Sequence, residues 1–374
     1  YKSVNTLQLG DKITSVENLA KQPPVEKSNY AYVMDWDDYN APAALHYLQQ
    51  KGIVASSAAK PFTAKTRKQA KNFNYGAVLV SVSLQKQDAA SVHKAIIEAQ
   101  DKFDVPIFAI DTGLNLKGID LGSGNIRPIK KTKVAMLIGD GVRSYEAGEV
   151  WHLLDTRVGM PITKIPLRNF NRVNLDKYTS LVMVSGRYDL SEKQIAKIKD
   201  WTSKGNTLIT IGTASKWVID KKIVDEKLTK TEKDSTKITE RKPYVDAREN
   251  IGKESVGGII LKVDLDITHP LAYGYRDTTI PVYKNNTVWL APSKNSYATV
   301  ARYTQNPLID GFITKKNMEE NIKTSASLLV SKVGSGRVVL FADNPNFRGS
   351  WYGTNRLFLN ALFLGDKINI PSED

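Results

Sequence analysis

Short apolar runs alternate with segments whose apolar positions recur at i, i+3, i+4 and i+7, which predicts strands alternating with amphipathic helices. Residues 28–112 read this way first. They predict a strand at Tyr30–Met34, a helix at Ala41–Gln50 stopping at Lys51-Gly52, and strands at Ile53–Ser57 and Ala77–Val82. A helix at Ala89–Gln100 and a strand at Val105–Ile110 follow. Beyond a Gly-rich connection at 113–132 the pattern recurs: strand Val134–Ile138, helix Ser144–Thr156, strands Ile162–Ile165 and Leu181–Val184, helix Glu192–Ser203 and strand Thr207–Ile211. Tyr75–Ser83 (YGAVLVSVS) parallels Tyr178–Gly186 (YTSLVMVSG), and each precedes an amphipathic helix and then a strand with a turn. Strands separated by single helices favour parallel sheets. The economical expectation is α/β architecture: two tandem flavodoxin-like parallel-sheet domains, at 28–130 and 131–374. Convergence of two ordinary strand–helix–strand units is the alternative.

The period changes after Gly212. Residues 221–256 are rich in Lys, Glu and Thr and read as a surface excursion. From Gly257 the pattern favours strands, at Ile259–Val263, Val288–Leu290, Thr299–Tyr303, Ser327–Ser331 and Val338–Phe341, the last two joined by a turn at Gly334-Ser335-Gly336. The second domain is thus expected to carry a β-rich insertion at about 221–325. A final helix at Tyr352–Leu364, with Leu357, Phe358, Ala361 and Leu362 on its core face, is expected to pack back on that domain. Residues 1–27 are polar, contain Gln22-Pro23-Pro24, and read as an extended linker.

Composition narrows the functional classes. The chain has 374 residues, 41% of them hydrophobic, enough for two or three cored domains. With no cysteine, disulfides, thiolate catalysis and Cys-based zinc sites are excluded. No apolar run reaches the roughly 18 residues of a membrane-spanning helix. The formal net charge is +14, but the lysines are scattered and the densest run, Lys221–Arg241, is mixed with acids. A nucleic-acid surface would cluster Lys and Arg with interleaved aromatics, so nucleic acid is not an expected partner. A basic surface near anionic cell-envelope polymers fits better. The start at Tyr1 rather than Met reads as a processed or truncated piece.

Val134–Asp155 (VAMLIGDGVRSYEAGEVWHLLD) reads as the opening strand–turn–helix of an open sheet. Ser144 is its expected N-cap, Glu146 lies in the first turn, and Ala147, Val150, Trp151 and Leu154 form the core face. Ligands of such sheets sit beyond the carboxyl ends of the strands. The candidate pocket therefore comprises Asp140, Arg143 and Glu146, with Ser185, Gly212, Asp343 and Asn344 after the following strands. The polar–aromatic stretch Asp343–Arg356 adds Arg348 and Arg356, either of which can hold a carboxylate bidentately, and Trp351 and Tyr352, which can stack on a sugar or peptide. The alternative is that Asp343, Asn344 and Arg356 satisfy buried backbone groups and fix the last helix. Gly212-Thr213-Ala214-Ser215 has the outline of a nucleophile elbow, with Thr213 or Ala214 at its centre; Thr213 or Ser215 would need a base, and His152 is the candidate. The histidines are His46, His93, His152 and His269, and none lies in an H-E-x-x-H motif. Glu146, Glu149 and His152 share a helix face that reads as solvated or packing surface, so no metal is expected in this chain.

Four stretches carry a resemblance: Val134–Asp155, Gly257–Leu271 (GGIILKVDLDITHPL), Tyr297–Pro307 (YATVARYTQNP) and Val338–Gly365 (VVLFADNPNFRGSWYGTNRLFLNALFLG). With Tyr30–Phe62 and Thr112–Gly122, they resemble the region downstream of the catalytic domain in large bacterial secreted zinc carboxypeptidases. That region is similar to class I glutamine amidotransferase-like domains. The resemblance implies an amidotransferase-like second domain, but the family's elbow cysteine is absent from Gly212-Thr213-Ala214, which argues against amidotransferase chemistry. The carboxypeptidase motif, His-x-x-Glu with a distant third His, is also absent. The resemblance thus implies a secreted or periplasmic non-catalytic accessory or substrate-binding region with a degenerate, pseudo-active pocket. Zinc and peptidase activity would belong to an upstream domain of the same polypeptide, with peptide or cell-wall material as substrate. A stand-alone hydrolase using Thr213 or Ser215 with His152 is the rival expectation, and a rigid spacer the third.

Overall fold

The computed structural model describes residues 10, 12, 14–15, 22–229 and 241–371. Most of the expected linker, and 230–240 of the expected surface excursion, lie outside these residues. Within 22–28 the chain runs against the first unit. Val25 is buried and donates its N–H to Gln100 Oε1 at 2.9 Å, and Gln100 Nε2 returns a bond to the Pro23 carbonyl at 3.0 Å.

The first unit is built from β1 (Ala31–Met34), α1 (Ala41–Gln50), β2 (Ser56–Ala58), a β3–β4 hairpin (Phe62–Lys65 and Ala70–Phe73), β5 (Val78–Ser81), α2 (Ala89–Phe103) and β6 (Ile107–Ile110). Two short strands follow, β7 (Lys117–Gly118) and β8 (Ile126–Pro128). The helices form where the sequence predicts them. Asp88 caps α2 by accepting from the Ala90 and Ser91 N–H groups, and Asp104 ends it in the left-handed conformation.

The sheet, however, is not parallel. Its order is β6-β1-β5-β2-β8, and every neighbouring pair is antiparallel. Each helix links two strands of like direction but skips the strand between them. This is the split βαβ arrangement of ferredoxin-like folds, and it corrects the flavodoxin-like expectation for this unit. Strand–helix alternation fixes the direction of the strands a helix joins, not whether they are neighbours. Here β5, returning from the β3–β4 hairpin, occupies the gap between β1 and β2. The likeness of 75–83 to 178–186 is accordingly that of two apolar strands in different sheets, and the convergent reading holds.

The second sheet has nine strands, in the order β10-β9-β11-β12-β17-β16-β15-β13-β14. Its parallel half comprises β9 (Val134–Ile138), β10 (Ile162–Pro166), β11 (Ser180–Met183), β12 (Thr207–Ile211) and β17 (Gly336–Phe341). Relabelled in chain order these run 2-1-3-4-5, the flavodoxin-like order. Helices α3 (Ser144–His152), α4 (Glu192–Ser203) and α5 (Thr213–Asp220) belong to this half. A short helix α6 (Ala247–Glu254) precedes the antiparallel half, which is β13 (Ile259–Leu265), β14 (Thr279–Lys284), β15 (Thr299–Gly311) and β16 (Ala326–Val333). The β-rich stretch therefore extends the same sheet beyond β17. Strand β14 is an addition to the predicted set, and Val288–Leu290 contributes only isolated bridges through Leu290. The outer strands are β10, with Lys164 exposed and Pro166 at its end, and β14, with Pro281 in the middle.

Helix α3 departs from expectation in two details. Its N-cap is Arg143, with Ser144 already helical, and the helix continues as a π-helix over Leu153–Val158. Val150, Leu153 and Leu154 take the core positions, so Trp151 is left 45% exposed with Lys164 Nζ 3.8 Å from its ring centroid. The last helix, α7 (Tyr352–Phe363), is buried from Thr354 to Phe363 because both units pack on it. Trp36 of the first unit donates to Asn360 Oδ1 at 2.7 Å and meets Phe363 edge to face, while Tyr75 stacks on Tyr273. One apolar cluster runs from Leu45 and Ile96 through Tyr273 to Phe358, so the two units share a core.

Candidate functional site

The carboxyl ends of β9, β11, β12 and β17 converge, as the sequence predicts. Arg143 N–H bonds the Ser185 carbonyl at 2.9 Å, Arg187 N–H the Gly141 carbonyl at 2.8 Å, and Gly212 N–H the Phe341 carbonyl at 2.9 Å. These bonds lace the loops after the strands into one rim. Over it lies a cleft of about 760 Å³, lined by Val142–Glu146, Glu149, Asn285, Asn344, Phe347 and Arg348.

Of the predicted pocket residues, Arg143, Glu146, Asn344 and Arg348 line this cleft. Glu146 is buried. Its Oε2 accepts the Ser185 N–H at 2.9 Å, and its Oε1 lies 3.5 Å from Arg143 Nη1. Glu149, three residues on and so on the same helix face, accepts from Asn344 Nδ2 and from the Arg348 N–H, each at 2.6 Å. Burial pushes the Glu149 carboxyl above its usual range, against the opposing pull of those two donors. Arg348 itself is left-handed, with φ 53°. Its backbone is therefore held by Glu149 and its guanidinium faces the cleft over the Phe347 ring, 5.2 Å away.

The remaining predicted residues have other work. Asp140 is exposed on the turn and lies outside the cleft lining. Asp343 is buried beneath the cleft. It accepts from Tyr303 Oη at 2.7 and 2.9 Å and from Ser327 Oγ, and pairs with the fully buried Lys284 at 3.2 Å. Lys284 Nζ also bonds the Val288 carbonyl at 2.8 Å, and burial lowers its affinity for a proton while Asp343 opposes that. Arg356 is buried and donates to the backbone carbonyls of Trp36 and Asp38, so it staples the two units and is not free to bind a carboxylate. Tyr352 accepts from Arg157 Nη2 at 2.8 Å, and Trp351 packs near Tyr283, neither lining the cleft.

The strand-to-helix turn at 212 has the sharp geometry of an elbow, but its strained residue is Gly212 (φ 57°, ψ −122°), not Thr213 or Ala214. The position that would lift a nucleophile carries no side chain. A Cβ there would lie 2.2 Å from Ser185 Oγ. Thr213 Oγ1 accepts the Gly186 N–H at 2.9 Å. Ser215 is buried and bonds the Phe341 and Thr210 carbonyls at 2.9 and 3.1 Å. His152 has Thr156 Oγ1 at 3.5 Å from Nε2. Neither hydroxyl is paired with the imidazole.

Sequence reasoning left Glu149, Asn285, Tyr145 and Phe347 out of the pocket, and Lys284 out of the network below it. The signal for Glu149 was its i,i+3 spacing from Glu146. Among the described residues no group of three or more His, Cys, Asp and Glu side chains is placed to hold a metal ion, and no helix is long and apolar enough to cross a membrane.

No family model matches the chain, and no curated protein matches it. Solved structures do. A ThuA-like protein from Parabacteroides merdae matches at 10% identity with a TM-score of 0.42, over 65% of this chain and 92% of that one. A glutamine amidotransferase from Thermotoga maritima matches at 8% identity and TM-score 0.35, over 57% of this chain and 76% of that one. A β-galactosidase from Bacillus circulans matches at 12% identity and TM-score 0.34, over 63% of this chain but 30% of that one.

Proposed function

We propose that the cleft over α3 is a non-catalytic ligand site: it binds and orients without bond cleavage. The observation that carries this reading is Gly212 at the strained turn, with Ser185 Oγ filling the space a nucleophile's Cβ would need. The cleft keeps what binding requires. Arg143 and Arg348 offer guanidinium forks at its wall, the buried Glu146 and half-buried Glu149 supply carboxylates, and Tyr145 and Phe347 supply aromatic surface. A peptide suits this set, its carboxylate on an arginine and its amide groups on the polar wall. The placement of the chain as an accessory region of a secreted or periplasmic zinc carboxypeptidase-like polypeptide, with the upstream peptidase domain as partner, is supported by the sequence resemblance alone.

The test is a peptide panel with free and amidated carboxyl termini, followed by calorimetry for binding and mass spectrometry for products. Binding of free-carboxylate peptides, intact after incubation and weakened about tenfold or more by Arg348→Gln, is the expected result. Turnover that persists in purified protein, or binding indifferent to Arg348→Gln and Arg143→Gln, refutes the reading.

A further inference from the structure

At the opposite end of the parallel strands lies a second hollow, of about 410 Å³. It is formed by the β16–β17 hairpin turn, Arg127 at the end of the first unit, and the segment Asp366–Ile370 that follows α7. Four cations line it: Arg127, Lys332, Arg337 and Lys367. Among the described residues Asp366 is the one acid in the lining, and it is already paired with Lys367 Nζ at 2.8 Å.

Arg337 is the unusual member. It is only 7% exposed, yet no carboxylate among the described residues lies within ion-pair distance of it. Its Nη2 donates to the Ser335 carbonyl at 2.8 Å and its Nη1 reaches the Gly205 carbonyl at 3.5 Å, while Nε is buried without a partner. A guanidinium carries five N–H donors, so most of this fork's capacity is unused. Burial accordingly disfavours its charge, with Asp366 the opposing influence. A second observation points the same way. Lys332 and Arg337 are registered directly opposite each other across the hairpin, and so project from the same face. Like charges so placed destabilise a sheet unless a counter-charge sits between them.

We propose that this hollow binds a phosphate-type oxyanion. Arg337 presents its fork from the wall, and Lys332, Arg127 and Lys367 supply charge around it. The surplus of cations over Asp366 suits a multiply charged oxyanion better than a single carboxylate. The hollow is wider than a phosphate ion, which suits a phosphate carried on a larger group, either a free phosphomonoester or a link of a phosphodiester polymer. The site is separate from the cleft over α3 and does not rest on the reading of that cleft.

Calorimetric titration at fixed ionic strength tests it, with inorganic phosphate, glycerol 3-phosphate and a glycerophosphodiester as probes. The protein should bind at least one of them. Lys332→Gln and Arg127→Gln, both at exposed positions, should each weaken binding about tenfold. Arg337→Lys, which keeps the charge but loses the fork, should weaken it at least as much. Preference for the monoester identifies a small metabolite-like ligand, and preference for the diester a polymer. No binding of any probe at millimolar concentration, or affinity unchanged in Lys332→Gln and Arg127→Gln, overturns the proposal and leaves peptide binding in the cleft untouched.

Discussion

Gly212→Ala puts the elbow to a direct test. The backbone there, at φ 57° and ψ −122°, is one an L side chain adopts at a cost of about 1–3 kcal/mol. The added Cβ would also lie 2.2 Å from Ser185 Oγ, an overlap worth about another 1–3 kcal/mol as overpacking. Gly212→Ala should therefore destabilise by about 2–6 kcal/mol. Ser185→Ala removes the clashing oxygen and leaves its Cβ at 3.6 Å, an ordinary contact. Alone it loses two long hydrogen bonds, to the Thr213 N–H at 3.3 Å and the Ile211 carbonyl at 3.4 Å, for roughly 1 kcal/mol. In the double variant the overlap vanishes and the backbone strain stays. The two substitutions should thus fall short of additivity by about 1–3 kcal/mol in a double-mutant cycle from urea unfolding. Additive effects, or a Gly212→Ala protein within about 0.5 kcal/mol of the parent, would refute the claim that Ser185 occupies the nucleophile's place.

Other perturbations probe separate parts of the molecule. Lys284→Met leaves the Asp343 carboxylate buried without its cation and should cost about 3–5 kcal/mol by urea unfolding; a variant within about 1 kcal/mol of the parent would contradict this. His269 is buried with its pKa pushed down to about 4, chiefly by desolvation, and its Nδ1 accepts the Leu271 N–H at 3.1 Å. Because the unfolded imidazole takes up its proton first, near pH 6.5, stability present above that pH is lost as pH falls toward 4, by about 3 kcal/mol. His269→Asn keeps the cap without the titration, and an identical pH dependence in the variant and the parent would contradict this. Glu149→Gln should cost about 1–3 kcal/mol and speed amide exchange at Arg348, whose N–H bonds that carboxylate; unchanged exchange there would count against the tether. Arg356→Ala should lower stability by about 2–4 kcal/mol, since the buried Trp36 carbonyl and the half-buried Asp38 carbonyl of the first unit lose their donor.

The parts legible in the sequence were those set by local periodicity. Helices Ala41–Gln50 and Glu192–Ser203 and strand Thr207–Ile211 fall where the apolar spacing places them, and the strand ends converge on Arg143, Glu146 and Asn344. Strand pairing was not legible. The chain from β2 to β5 holds a hairpin where a parallel neighbour would need a crossover, and only the long-range register shows that β5 enters between β1 and β2. Arg356 read as either a ligand group or a staple on buried backbone, because a guanidinium looks alike whether its acceptors are substrate oxygens or the carbonyls of Trp36 and Asp38, which lie far away in sequence. Trp151 failed for a local reason: the helix widens into a π turn at 153–158, and Leu153 is buried beside the expected Leu154 while Trp151 is left at the surface.

The outer strands of the nine-stranded sheet have a consequence for how copies of this chain meet. A free strand edge invites another chain to add to it, and long sheets are the most exposed to that hazard. Here Pro281 interrupts the middle of one border strand, while at the other Lys164 is exposed with its ammonium over Trp151 and Pro166 ends the strand. Each border is thus closed to a zipper of main-chain bonds. The sheet stays finite, and crowded copies are kept from fusing into fibrils along it.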